Sequence, residues 1–122
     1  MTTVTNKAEA PSVDCPSIDA ELIADNTDAA LRMELGTSTR EDIDTRTTTL
    51  VEQLNLLLCE ELGADEDPAV RDLFRRGYRL LDTSNRPTQQ TAAFNAFFYM
   101  RDVAGVARRL LWIYTELSHH AT

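Results

Sequence analysis

Thr88-Gln-Gln-Thr-Ala-Ala-Phe-Asn-Ala-Phe-Phe-Tyr-Met-Arg-Asp-Val-Ala-Gly-Val-Ala-Arg-Arg-Leu-Leu-Trp-Ile-Tyr-Thr-Glu-Leu-Ser118 contains no proline and repeats apolar residues at helical spacing. One long helix accounts for it. At about 100° per residue, Phe97, Met100, Val103, Ala104, Ala107, Leu110, Leu111, Tyr114 and Leu117 share one broad face, the expected core side. The opposite side carries Arg101, Asp102, Arg109 and Glu116, as a solvated face should, but also Phe94, Phe98, Gly105 and Trp112. A helix apolar on two sides is either central in its own bundle or in contact with another chain.

Three shorter helices are predicted upstream. Asp67-Pro68 supplies an N-cap and a proline at the first helical position, where its missing N–H costs nothing. Val70, Phe74, Gly77 and Leu81 form the inner row of that helix, with Leu73 and Leu80 beside them, and a glycine in mid-helix marks a close crossing. Arg71, Arg75 and Arg79 lie in one i, i+4, i+8 row, with Arg76 set to pair with Asp72. Asp82-Thr-Ser-Asn-Arg-Pro87 is a turn-forming connection to the long helix. Before them, Ser38-Thr-Arg-Glu41 fits a capping box opening a helix whose stripe is Ile43, Thr47, Leu50, Leu54, Leu57 and Glu61, widened by Leu58 and Leu62 and closed by Gly63. Its run Thr45-Arg-Thr-Thr-Thr49 is poor in helix propensity, so tertiary packing must hold it. A first helix follows Ser17 as cap, with Ile18, Leu22, Ile23, Ala29, Ala30 and Met33 as its stripe and Gly36 at its end.

Residues 1–16 are rich in Thr, Ala, Pro and Ser and cannot offset their ordering entropy by burial, so they read as a disordered tail. The expected organisation is that tail, a helical bundle domain over residues 17–118, and a frayed end over 119–122. Short loops favour antiparallel neighbours, and the fold class is all-α: a four-helix up-down-up-down bundle with a long C-terminal helix. At ~1.5 Å per residue the last helix would be ~45 Å long and the third only ~22 Å, so part of the last is left uncovered.

The 122 residues suit one domain with a real core. The net charge of −8 is uneven: residues 1–66 hold 4 basic and 15 acidic residues, whereas residues 67–110 hold 8 arginines and 4 aspartates. Packing of the two halves against each other would use that asymmetry. The overall sign argues against direct nucleic-acid binding, which needs phosphate neutralisation by a basic surface. Two cysteines, Cys15 and Cys59, lack metal-ligand spacing, and the chain shows neither a signal-peptide run nor the ~20 apolar residues of a membrane span. A reduced, soluble, cytoplasmic protein without membrane association is expected.

No chemistry-bearing constellation emerges. His119 and His120 are adjacent at the end of the chain with no third ligand. Glu60 and Glu61 lack the histidine three residues on that a di-iron bundle uses, and Gly36, Gly63, Gly77 and Gly105 are dispersed instead of forming a phosphate-cradling loop. Cys59 reads as a small core or boundary residue. A helix-turn-helix is disfavoured because Gly63-Ala-Asp-Glu-Asp-Pro68 would set acidic side chains against phosphates. The expectation is a protein that is not an enzyme and needs no cofactor or metal.

Ile18-Asp-Ala-Glu-Leu-Ile23, Leu50-Val-Glu-Gln-Leu-Asn-Leu-Leu-Leu58 and Arg108-Arg-Leu-Leu-Trp-Ile-Tyr-Thr-Glu-Leu117 together resemble a family of small actinomycete (streptomycete-type) helical proteins of unknown function. The resemblance covers about residues 18–117 and departs at the aromatic cluster Phe94 to Tyr99. It implies an actinobacterial context and a helical fold, and carries over no catalytic residue.

Function is therefore expected in a surface. Phe94, Phe98, Arg101, Asp102, Gly105, Arg108, Arg109 and Trp112 are the interface candidates, of residue types that dominate interface energetics. The occupant would be another protein or a second copy, crossing antiparallel at Gly105 so that Phe98 meets Trp112 and Asp102 approaches Arg108 or Arg109. The alternative is an acidic inhibitor or nucleic-acid mimic that binds a basic DNA- or RNA-binding protein, presenting Glu21, Asp25, Asp28, Glu41, Asp42 and Asp44.

Overall fold

The structure, a computed structural model, describes residues 17–120; the expected tail over residues 1–16 and residues 121–122 lie outside it. Among the described residues the regular structure is entirely helical: α1 (Ala20–Arg32), α2 (Arg40–Cys59), α3 (Pro68–Leu81) and α4 (Ala93–His120), with 3-10 turns at Leu35–Thr37 and Thr83–Asn85.

Local chemistry sets each boundary, sometimes one residue away from its expected place. Asp19, not Ser17, caps α1, its carboxylate accepting from the Leu22 amide at 3.1 Å. The capping box of α2 is formed by Thr39 and Asp42 in place of Ser38 and Glu41: the Asp42 amide donates to the Thr39 hydroxyl at 3.0 Å, and the Thr39 amide to the Asp42 carboxylate at 3.4 Å. Ser38 instead donates back to the Glu34 carbonyl at 2.7 Å. Asp67 caps α3 as expected, with Pro68 at its first position. The helix α1 ends at Arg32, and Gly36 falls in the following turn; α2 ends at Cys59, before the left-handed pair Leu62 (φ 50°) and Gly63 (φ 77°). The start of α4 is Ala93, not Thr88, because Thr88 to Thr91 form a turn closed by the Thr88 amide donating to the Thr91 hydroxyl at 2.8 Å. Its end is His120, two residues past the expected Ser118.

The core gathers around α4. It packs on α1, α2 and α3, while α1 and α3 each rest on both α2 and α4. Buried side chains come from α1 (Ile23, Thr27, Ala30), α2 (Ile43, Leu50, Leu54, Leu57, Leu58), α3 (Val70, Leu73) and α4 (Ala96, Phe97, Tyr99, Met100, Val103, Ala104, Val106, Ala107, Leu110, Leu111). Three assignments to the core side are corrected. Leu22 and Leu117 are exposed, and so is Cys59 at the end of α2. Thr27 takes the inward position of α1 because its hydroxyl donates to the Ala24 carbonyl at 3.1 Å, so its burial leaves no unmet donor. The threonines of α2 use the same device: Thr47 donates to Ile43 at 2.7 Å and Thr48 to Asp44 at 3.0 Å. Gly77 is buried, and a Cβ there would lie 3.0 Å from the Leu58 side chain, which makes it the close α2–α3 crossing. No helix is long and apolar enough to cross a membrane among the described residues.

Candidate functional site

Two contacts set the orientation of α4. Arg40, at the first turn of α2, donates from Nη1 to the Thr91 carbonyl and from Nη2 to the Thr88 carbonyl at 2.7 Å, while its Nε pairs with Asp44 at 2.9 Å. The Tyr99 hydroxyl donates to the Leu80 carbonyl and ties α4 to the end of α3. Burial pushes the Tyr99 phenol above its ordinary value, with nearby Arg86 acting weakly the other way. In the same connection, the Ser84 amide and then its hydroxyl donate to Asp82 and hold that carboxyl below its ordinary value.

With α4 fixed this way, its outer face stays open. Trp112 is 65% exposed, Phe94 58% and Phe98 46%. Phe94 and Phe98 meet tilted by 56° with ring centroids 4.7 Å apart, and Phe98 meets the buried Phe97 edge-on at 5.5 Å, so the exposed aromatics continue a ladder that begins in the core. The Arg101 guanidinium sits over Phe97 at 5.9 Å from the ring centre. Gly105 lies midway between the two ends of this face, half-exposed, and a Cβ built on it would meet no other helix or side chain of the described residues within 4 Å. Asp102 and Arg109 are exposed, and neither has an ion-pair partner among the described residues. Arg108 differs from its neighbours: it pairs with Asp28 of α1 at 2.9 Å.

Trp112 stands between two depressions. On one side, Leu62, Val70 and Leu73 face Ile113, Glu116 and Leu117 across a groove of about 860 Å³. A smaller hollow of about 230 Å³ lies on the other side, against Ala24, Thr27 and Asp28 of α1. The length mismatch with α3 made an uncovered part of α4 legible in sequence, but the lining of the groove was not, because Leu117 falls on the core side of α4 by periodicity.

Part of the charge is engaged within the chain. Asp42 caps α2, Asp44 holds Arg40 and Asp28 holds Arg108, which removes three of the six carboxylates expected to form an acidic recognition face. In the arginine row, Arg71 donates to the carbonyls of Ala64 and Asp65 at 3.3 and 2.9 Å, and Asp72 pairs with Arg75 at 2.7 Å instead of with Arg76. Among the described residues no salt bridge joins the row to α1 or the first turns of α2, and the salt bridge that joins the acidic and arginine-rich segments is Asp28–Arg108. No group of three or more His, Cys, Asp or Glu side chains converges there on a metal-sized site, and the side chains of His119 and His120 lie outside the description.

Compared with protein-family models, curated proteins and solved structures, the chain matches none of them.

Proposed function

We propose that this chain is a non-enzymatic, cytoplasmic protein-interaction module, its helices running up-down-up-down, that binds another protein or itself through the outer face of α4. One observation carries the reading: Phe94, Phe98 and Trp112 stay exposed on the helix that is otherwise the centre of the core. Burying such rings removes large apolar area from water, at about 25 cal/mol per Å². The open Arg109 beside them supplies the other residue type favoured at interface hot spots. Direct nucleic-acid or membrane binding is not part of this reading.

The test is chemical cross-linking of the protein, alone and in native extract, for wild type and a Phe98→Ala/Trp112→Ala variant of equal helicity. A cross-linked product that wild type forms and the variant loses is the expected result. Identical patterns for both would refute the outer-face reading.

A further inference from the structure

The outer face of α4 is nearly its own complement. Phe98 and Trp112 lie seven residues before and seven after Gly105, so each is two helical turns, about 10 Å, from it. Around the helix, at about 100° per residue, both fall within about 20° of Gly105. Asp102 lies three residues before Gly105 and Arg109 four after it, and both fall to the same side, by about 60° and 40°.

A two-fold axis lying just outside the face opposite Gly105, perpendicular to α4 and parallel to the face, reverses position along the helix and preserves side. Under it Asp102 of one copy lies opposite Arg109 of the other, and Phe98 opposite Trp112, each contact formed twice. We propose that the occupant of this face is a second copy of the chain, its α4 crossing antiparallel at Gly105. This rests on the outer-face reading and names its partner.

Three observations fit together in that arrangement. Gly105 has no side chain, and a Cβ built on it would meet no side chain or other helix of the described residues within 4 Å, so a second backbone can approach there. Asp102 and Arg109 have no ion-pair partner within the described chain and gain one across the axis, while Arg108, held by Asp28, is not needed. The second copy's Phe98 rests on Trp112 at the lip of the 860 Å³ groove, so ring and apolar recess meet. The six aromatics, each with about half of its ~200 Å² open, offer on the order of 600 Å². That is half of the ~1,200 Å² at the lower end of specific interfaces, and so a weak, concentration-dependent dimer.

Charge exchange tests the pairing directly. Asp102→Arg and Arg109→Asp alone each set like charges face to face twice in a homodimer; an equimolar mixture of the two variants restores both pairs in a heterodimer. Light scattering over a concentration series, with the emission of Trp112, the sole tryptophan, as a second readout, should show wild-type dimerisation with a blue shift. Each reversal should weaken it by about tenfold or more, and the mixture should return to within about threefold of wild type. Gly105→Leu, whose Cβ meets nothing within 4 Å among the described residues, should give a folded monomer. Wild type monomeric at every concentration would overturn the second copy as partner; loss of a cross-linked foreign protein in Trp112→Ala would then leave the outer-face reading standing. A wild-type dimer indifferent to both reversals, to Gly105→Leu and to Trp112→Ala would overturn both. Reversals that weaken a dimer which their mixture does not recover would overturn the crossing at Gly105.

Discussion

Leu58 of α2 lies against the backbone of Gly77 in α3, its Cδ1, Cδ2 and Cγ at 3.0, 3.1 and 3.4 Å from where a Cβ would stand. Glycine in a helix ordinarily costs about 1 kcal/mol against alanine. Here the gain is outweighed because the whole isobutyl group would have to move in a packed core. Gly77→Ala should destabilise by about 1–2 kcal/mol in urea unfolding, and in a Leu58→Ala background the same change should stabilise by about 0.5–1 kcal/mol. A stabilising Gly77→Ala in the wild-type background would show that the crossing is not tight.

Arg40 holds the turn before α4 through two carbonyls, Thr88 and Thr91. Its truncation to alanine should cost about 1–3 kcal/mol and raise amide exchange at the first turn of α4 more than at its centre. Arg40→Lys should rescue little, since an ammonium cannot reproduce the planar fork that reaches two carbonyls and Asp44 together.

Tyr99 makes alkaline stability testable. Its folded phenol is raised above the ordinary 10.0 by burial, and its proton is the one donated to Leu80. The contribution is therefore fully present below pH 10.0 and is lost as pH rises through the folded value, because the unfolded chain ionises first. Tyr99→Phe should lower stability at neutral pH by about 1 kcal/mol and remove this share of the alkaline loss. Parallel pH curves for the two proteins would contradict it.

Gln53 is buried on α2, and its Oε1 has no hydrogen-bond partner among the described residues. An unmet buried carbonyl is costly, and a flexible thioether fills similar space. Gln53→Met should raise stability by about 1 kcal/mol, read as a shifted urea midpoint at constant slope.

Neighbouring positions on α4 should respond in opposite ways. Leu110 is fully buried and Trp112 is 65% exposed. Leu110→Ala should cost about 2–5 kcal/mol, whereas Trp112→Ala should change stability by no more than about 0.5 kcal/mol while removing cross-linking and the concentration dependence of size.

Element type and order were legible in the chain because periodicity and capping are local. Asp67-Pro68 marked the start of α3, the stripe Ile43, Leu50, Leu54 and Leu57 marked α2, and the face of Phe97, Met100, Val103, Ala104, Ala107, Leu110 and Leu111 marked the core side of α4, while its second apolar side left a central position and a contact with another chain both open. Boundaries slipped where two residues compete for one role: Ser38 and Thr39 both offer hydroxyls, and the backbone geometry before Arg40 gives the cap to Thr39.

Burial at single positions, and the shape of the surface, were decided by the tertiary structure alone. Thr27 goes inside and Leu22 outside because α1 presents its Ile23–Thr27–Ala30 row to α2 and α4, a rotation that no local pattern contains. Of the arginines near Gly105, Arg108 is held by an aspartate 80 residues earlier in the chain, while Arg109 stays open. Periodicity is written by neighbours within one helix and so can be read from sequence; which face each helix turns to the others depends on all four packing at once, and that relation exists only in the fold.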